Sequence, residues 1–256
     1  MLFEGLIPQP ERSEKPRSAG LTMVLDTGLA ASELEALVEA SAAYVDYVKL
    51  GWATSIVHPQ VRDKLAILEN AGISRCAGGT FFELAYIHGC VDEFFARLKD
   101  LGFDHVEVSD GSVAMPHEDK LRYIKQASDD FVVYSEYGSK LAEQITAPRL
   151  WVEGMQAELE AGAWKVIAEG RESGTSGLYR TSSEIRGGLV DELVIDIDPN
   201  KIIWEAPQKF QQTWLIKRFG SDVNLGNIPP SQVIALETLR RGLRSDTLEH
   251  FHIEGP

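Results

Sequence analysis

Charged and glycine-rich turns follow several apolar runs in this sequence, and these turns carry the side chains best suited to chemistry. The run at 164–168 gives way at once to EGRESG at 169–174, which holds two carboxylates, a guanidinium, a hydroxyl and two glycines. Similar turns lie at 49–51, 109–111, 136–140 and 205–209. Carboxylates and cations gathered in this way can transfer protons or bind metal ions and anions.

The same pattern predicts the secondary structure that must position these side chains. Eight runs are predicted to be strands, at 21–26, 45–50, 73–77, 104–109, 131–136, 164–169, 201–205 and 222–225. Segments with apolar residues at helical spacing lie between them. Four of the helices are predicted to stop at a glycine, where a left-handed residue is least costly. These glycines are Gly72, Gly102, Gly162 and Gly220.

The alternation of strands and helices predicts a single (β/α)8 TIM barrel, which is an α/β fold. In this fold the loops after the strands build one shared site. A doubly wound open sheet is the alternative, but it would place ligand groups mainly at one switch point, whereas polar clusters here follow nearly every strand. No composition break divides the sequence. We predict an N-terminal extension at 1–19, a catalytic barrel domain at 20–248 and a C-terminal tail at 249–256.

Composition and charge disfavour several classes of partner. The 256 residues include 39 acidic and 25 basic ones, a formal charge of -14, which disfavours nucleic acid and anionic membranes. No apolar run reaches the ~20 residues of a membrane helix, and positions 1–20 lack the apolar core of a secretory signal. Cys76 and Cys90 have no metal-binding spacing and are predicted to be reduced packing residues. We therefore expect a cytoplasmic protein.

Six segments, in a fixed order, carry a resemblance to a known family. They are VDYVKLGW at 45–52, GGTFFE at 78–83, VEVSDG at 106–111, EGRESG at 169–174, EAPQK at 205–209 and LETLRRGLR at 236–244. Together they closely resemble the phosphosulfolactate synthase family, over nearly the whole sequence. The resemblance implies a barrel enzyme of the carbon-sulfur lyase class. Such an enzyme adds sulfite to phosphoenolpyruvate with Mg²⁺ and gives (2R)-phospho-3-sulfolactate, an early intermediate of coenzyme M biosynthesis.

The implied reaction creates negative charge that the site must stabilise. Attack of sulfite on the methylene carbon of phosphoenolpyruvate yields an enolate-like dianion beside a phosphate, which calls for a divalent cation and fixed positive groups. Mg²⁺ takes oxygen ligands, usually from few carboxylates. Asp110, Glu136, Glu169 and Glu205 lie at the tips of strands four to seven, and we predict the neighbours Asp110, Glu136 and Glu169 as the ligands. Salt bridges with basic residues of the barrel are the alternative role for each.

Two lysines are the predicted catalytic residues. The resemblance places the family's proposed proton donor to C2 on Lys140, in the turn after strand five. A lysine can donate this proton when burial or neighbouring cations lower its pKa towards neutrality. Lys49, at the end of strand two, would clamp the substrate carboxylate or help to bind sulfite.

Two groups of residues are candidates for binding phosphate and sulfonate. Arg171 can grip an oxyanion with two nitrogens, and Ser173 and Gly174 add a hydroxyl and backbone N–H groups. In many barrels phosphate binds after strands seven and eight. The candidates there are Lys209, Asn224, Gly226 and Asn227. The sequence does not rank these two sites.

Two alternatives to the implied reaction stay open. One keeps the barrel, the metal and the enolate chemistry but uses another nucleophile or acceptor. The other is a non-catalytic relative that acts in stress tolerance through protein interaction, against which the retained lysines and carboxylates argue. A homo-oligomer is possible in either case.

Overall fold

The computed structural model describes residues 5–138 and 147–253 of the chain. Eight parallel strands pair in chain order and close into a barrel. They are β1 Thr22–Asp26, β2 Tyr47–Leu50, β3 Ser74–Ala77, β4 His105–Ser109, β5 Val132–Tyr137, β6 Lys165–Ala168, β7 Ile202–Glu205 and β8 Leu225–Ile228. The single (β/α)8 barrel predicted from the sequence is confirmed.

Helices surround the strands and bury their apolar faces against them. In the described part of the chain they are α1 Ala31–Ser41, α2 Val61–Asn70, α3 Gly79–Ile87, α4 Val91–Leu101, α5 His117–Ala127, α6 Pro148–Glu160, α7 Gly187–Asp196, α8 Lys209–Phe219, α9 Val233–Arg240 and α10 Ser245–His252. The main core combines strand residues such as Val48 and Val106 with helix residues such as Leu65 and Phe82. Over these same residues, no helix is long and apolar enough to cross a membrane.

The last strand lies further along the chain than predicted, in a segment whose sequence indicated a turn. The strand predicted at 222–225 is observed at Leu225–Ile228. Glycine suits a strand where another element approaches closely. A Cβ on Gly226 would lie 2.9 Å from Cε of Met23 and 3.1 Å from Cγ2 of Ile203, both inside the barrel. Gly226 and Asn227 therefore belong to a strand in a narrow part of the barrel rather than to a loop.

The predicted N-terminal extension contacts the amino-terminal end of the barrel. Arg12 forms ion pairs with Asp222, just before β8, and with Glu237 on α9. Arg17 Nε lies 3.0 Å from a carboxylate oxygen of Asp46, just before β2. These contacts lie at the opposite end from the polar turns that follow the strands.

An apolar layer inside the barrel supports the polar end. Its members include Tyr47, Tyr134, Ile167 and Ile203, which are buried against one another. The rings of Tyr47 and Tyr134 stack with their centroids 4.5 Å apart. Since side chains of a strand alternate between its two faces, the residue two positions further along each strand points into the barrel one layer higher.

Candidate active site

A pocket of about 280 Å³ opens at the carboxyl end of the strands. Its cationic lining residues are Lys49 and Arg171. Its acidic lining residues are Glu107, Glu136, Glu169, Glu172 and Glu205. Among the described lining residues carboxylates thus outnumber cations, and a bound cation would lower their repulsion of a multiply charged anion.

Strand periodicity explains how four of these charged side chains reach the pocket. Each lies two residues beyond a member of the apolar layer on the same strand. The pairs are Tyr47 and Lys49 on β2, Tyr134 and Glu136 on β5, Ile167 and Glu169 at the end of β6, and Ile203 and Glu205 on β7. The pocket floor is therefore a charged layer set directly on an apolar one.

Lys49 lies between two carboxylates from distant strands. Its Nζ is 2.9 Å from Oε2 of Glu107 on β4 and 3.2 Å from Oε1 of Glu205 on β7. All three side chains are buried. Charge-assisted hydrogen bonds of this kind fix both the position and the direction of an ammonium group. The barrel thus holds one defined positive charge at the base of the pocket.

The pKa values in this cluster follow from burial and from the excess of carboxylates. Burial alone would lower the pKa of Lys49, but Glu107, Glu205 and Glu136 together raise it well above its usual value. Burial raises the pKa of Glu107 to about 7, with Glu136 and Glu205 adding to this effect and Lys49 opposing it. Burial also raises the pKa of Glu205, again against the effect of Lys49. Lys49 therefore stays protonated at neutral pH.

The second oxygen of each carboxylate binds a backbone N–H group. Oε1 of Glu107 accepts from Gly79 at 2.8 Å, and Oε2 of Glu205 accepts from Gly170 at 2.9 Å. A Cβ on Gly79 would lie 2.8 Å from Oε1 of Glu107 and 2.7 Å from Cβ of Ser109. Glycine is therefore required for this close approach at Gly79.

Several non-glycine residues around the pocket adopt left-handed backbone conformations. Trp52, Arg171 and Asn227 line the pocket with φ of 51°, 57° and 54°. Such conformations cost free energy and persist where surrounding contacts hold them, often at functional sites. The N–H of Arg171, for example, donates to Oε1 of Glu169 at 2.6 Å. The lining of the pocket thus includes three residues whose backbone conformations are strained.

Two of the three predicted metal ligands line the pocket. Glu136 lies on β5 and Glu169 directly follows the neighbouring β6, whereas Asp110 lies outside the pocket lining. Oδ1 of Asp110 is 2.9 Å from Nζ of Lys120 instead, the salt-bridge alternative considered for it. Among the described residues, no three acidic, histidine or cysteine side chains are arranged to enclose a metal ion. Two carboxylates still suit Mg²⁺, which commonly completes its shell with waters and substrate oxygens.

The first predicted anion site lies at the pocket. Arg171 is part of the lining, whereas Ser173 and Gly174 follow in the same loop and are not among the lining residues. The carbonyl of Ser173 accepts from Nε2 of Gln208 at 2.5 Å, and that of Gly174 accepts from Nε2 of Gln211 at 3.0 Å. These contacts tie the loop to the start of α8.

The second predicted anion site is dispersed, except for Asn227. Lys209 is half exposed and pairs with Asp246 at 2.9 Å. Asn224 precedes β8 and donates to the carbonyls of Asn200 and Ile202, both at 3.0 Å. Asn224 therefore lies at the amino-terminal end of the barrel, because β8 starts after it. Gly226 lies within β8, and Asn227 alone of this set lines the pocket. Lys140 lies outside the described residues.

Comparison with known proteins now identifies the family. The model of the (2R)-phospho-3-sulfolactate synthase (ComA) family matches residues 10–246. Phosphosulfolactate synthase of Methanothermobacter thermautotrophicus is 43% identical over 245 residues, which cover 93% of this chain and 95% of that protein. The chain belongs to the (2R)-phospho-3-sulfolactate synthase family. The resemblance inferred from the six segments is confirmed, and so is the prediction of an enzyme.

Two further comparisons agree with this family and fold. Phosphosulfolactate synthase of Bacillus subtilis is 40% identical over 241 residues, covering 93% of this chain and 96% of that protein. Among solved structures, the YdjI aldolase of Escherichia coli aligns with a TM-score of 0.58 at 12% identity, over 91% of this chain and 90% of its own. The aldolase shares the barrel fold.

Three acidic residues that line the pocket of this phosphosulfolactate synthase family member are not among the predicted site residues. They are Glu107, Glu172 and Glu205. A signal for Glu107 was present, because a carboxylate between Val106 and Val108 is unusual in a strand buried on both faces. Its contact with Lys49 joins residues 58 positions apart, which sequence spacing does not reveal.

Proposed function

We propose that this chain catalyses the Mg²⁺-dependent addition of sulfite to phosphoenolpyruvate, which gives (2R)-phospho-3-sulfolactate in an early step of coenzyme M biosynthesis. One observation carries the proposal: a chain 43% identical to a phosphosulfolactate synthase holds fixed cations and several carboxylates in one pocket at the barrel end where such enzymes place their sites.

The proposed reaction forms one carbon-sulfur bond and one carbon-hydrogen bond. The sulfur lone pair of sulfite attacks C3 of phosphoenolpyruvate, and the electrons of the C2–C3 double bond move towards C2 and its carboxylate. A proton then joins C2. Charge accumulates on the substrate carboxylate before that proton arrives, so positive groups that are already in place lower the barrier most.

Lys49 and Arg171 supply such groups in the described part of the chain. The ammonium of Lys49 is held by two carboxylates and keeps its proton, which suits an electrostatic role towards sulfite or the substrate carboxylate. Arg171 can bind the phosphate with two nitrogens. Asn227 adds a polar side chain to the same lining.

Lys140 remains the proposed donor of the proton to C2, on the strength of the family resemblance. The raised pKa of Lys49 makes Lys49 a poor donor at neutral pH, which supports separate roles for the two lysines. Lys140 would act on the intermediate, whereas Lys49 would bind and orient an anion.

Glu136 and Glu169 are the residues proposed to hold Mg²⁺. The excess of carboxylates over cations among the described lining residues supports a bound cation, which would lower the repulsion of both substrates. When bound, Mg²⁺ supplies Lewis-acid stabilisation of the enolate oxygens. Asp110 is not included, because it lies outside the pocket lining and its Oδ1 pairs with Lys120.

The test of this function is product identification with a nucleophile control. The purified chain is incubated with phosphoenolpyruvate, Mg²⁺ and either sulfite or sulfate, and the products are identified by mass spectrometry and phosphorus NMR. We expect phosphosulfolactate with sulfite alone. Consumption of phosphoenolpyruvate at the same rate without sulfite would favour another nucleophile, and no consumption in any mixture would favour a non-catalytic relative.

A further inference from the structure

Glu205 contacts one cation of the pocket, Lys49, and the backbone next to another, Arg171. Its Oε1 lies 3.2 Å from Nζ of Lys49, and its Oε2 accepts a 2.9 Å hydrogen bond from the N–H of Gly170. Gly170 directly precedes Arg171 in the chain. A single side chain that is only 1% exposed thus joins strand β2 to the loop that carries the guanidinium.

The loop around Gly170 has little freedom to move away from Glu205. A Cβ on Gly170 would lie 2.6 Å from Cε2 of Tyr179 and 3.0 Å from the carbonyl oxygen of Glu205. The hydroxyl of Tyr179 donates to that same carbonyl oxygen at 2.5 Å. Arg171 then turns into a left-handed conformation, held by its N–H bond to Glu169. Glu205 therefore fixes the point from which the Arg171 side chain extends.

We propose that Glu205 is a positioning residue that sets the separation of Lys49 and Arg171, and with it the spacing at which the pocket grips two anions. The reading of those anions as phosphoenolpyruvate and sulfite rests on the proposed function. The positioning role itself rests on contacts within the chain, so it can be measured without either substrate.

Glu107 provides a matched comparison for Glu205. It contacts the same ammonium of Lys49, at 2.9 Å, and is equally buried. Its second oxygen binds Gly79 at the start of α3, whereas that of Glu205 binds Gly170. Removing Glu107 therefore disturbs Lys49 and leaves the anchor of Arg171 in place.

Limited trypsin digestion tests the anchor directly, because trypsin cleaves after Arg171. Glu205→Leu removes both contacts of the carboxylate, and Glu205→Gln keeps an oxygen for the N–H of Gly170. Losing a charge-assisted hydrogen bond should raise the cleavage rate at Arg171 roughly tenfold in Glu205→Leu. Glu205→Gln and Glu107→Leu should stay within about twofold of wild type, since both retain an acceptor for Gly170. Equal increases in Glu205→Leu and Glu107→Leu would overturn the proposal.

The contact between Glu205 and Gly170 can also be disturbed by a substitution in the loop. Gly170→Ala should displace the loop from Glu205 while leaving the carboxylate and its bond to Lys49 intact. It should therefore raise cleavage at Arg171 as Glu205→Leu does. This variant decides the question if Glu205→Leu does not fold, which circular dichroism reports. Wild-type cleavage in a folded Gly170→Ala protein would contradict the anchor.

Calorimetric binding of phosphoenolpyruvate tests the consequence for the pocket. Glu205→Leu should weaken binding roughly tenfold when Arg171 is present and clearly less in an Arg171→Ala background, where only the contact with Lys49 is left to disturb. The same loss in both backgrounds would indicate a general structural effect and overturn the proposal. Failure of the wild-type chain to bind phosphoenolpyruvate would contradict the proposed function, and the digestion experiment would still decide the role of Glu205.

Discussion

Nζ of Lys120 lies 2.9 Å from Oδ1 of Asp110, which lies outside the pocket that Glu136 and Glu169 line. The same ammonium lies 2.7 Å from Oε1 of Glu158 and 2.6 Å from the carbonyl oxygen of Glu136. Lys120 is fully buried, so its charge requires these partners. Asp110 therefore stabilises the wall of the barrel behind β5.

The metal assignment predicts different effects for these carboxylates. Glu136→Gln and Glu169→Gln should each raise the Mg²⁺ concentration for half-maximal activity about tenfold or more, because each removes a charged ligand. Asp110→Asn should leave that concentration nearly unchanged and lower the free energy of unfolding by about 1–3 kcal/mol. Mg²⁺ titrations and urea unfolding of all three variants measure both effects. A large Mg²⁺ shift in Asp110→Asn alone would return Asp110 to the metal site.

Substitution of the proposed proton donor, Lys140, and of the proposed anion-binding residue, Arg171, should have different effects on kcat and on substrate affinity. Lys140→Ala should keep substrate binding but lower kcat by ~10²–10⁴, since a general acid acts on the intermediate. Arg171→Ala should chiefly weaken phosphoenolpyruvate binding, because the guanidinium grips substrate and transition state alike. Calorimetric affinity measured beside kcat distinguishes the two. Near wild-type kcat with collapsed binding in Lys140→Ala would make Lys140 an anion-binding residue and contradict its role as the proton donor.

Burial of Glu107 predicts a pH-dependent contribution to stability. Its pKa rises from 4.5 in the unfolded chain to about 7 in the fold, where it faces Lys49, Glu205 and Glu136. A raised folded pKa means that the folded state binds the extra proton, so the contribution is full below pH 4.5 and is lost as pH rises through about 7. The free energy of unfolding of wild type should therefore fall by up to about 3 kcal/mol relative to Glu107→Gln across that window.

Urea unfolding in EDTA between pH 4.5 and 8 measures this difference without a bound metal. The exposed substitution Glu35→Gln serves as the control and should follow the wild-type curve. Parallel curves for wild type and Glu107→Gln would show that Glu107 has an ordinary pKa in the folded protein.

Most of the fold could be predicted, because local sequence specifies it. Seven strands lie within about two residues of their predicted positions, since apolar runs bounded by polar turns suit buried parallel strands. The eighth strand was predicted to begin at residue 222 and begins at Leu225. Gly226 and Asn227 are typical turn residues, and only the nearby side chains of Met23 and Ile203 explain a glycine within this strand.

The sequence predicts at which end of the barrel the site lies, but not which charged side chains form ion pairs there. Strand ends are visible in the sequence, so Lys49, Glu136, Glu169 and Arg171 were correctly placed at one end of the barrel. Which carboxylate neutralises which lysine depends on contacts across the barrel or from the surrounding helices. Lys120 on α5 contacts Asp110 in this way, and no local sequence pattern predicts that contact.

The Mg²⁺-dependent addition of sulfite to phosphoenolpyruvate can be tested in one sample. Phosphorus NMR measures the rate of phosphosulfolactate formation, first before chelation, then after chelation and then after metal is added back. We predict formation at the start, loss of formation in EDTA and recovery after excess Mg²⁺ is added, because the enolate dianion needs a cation in this acidic pocket. Absence of phosphosulfolactate at the start, or an unchanged rate after exhaustive chelation verified by metal analysis, would contradict the account.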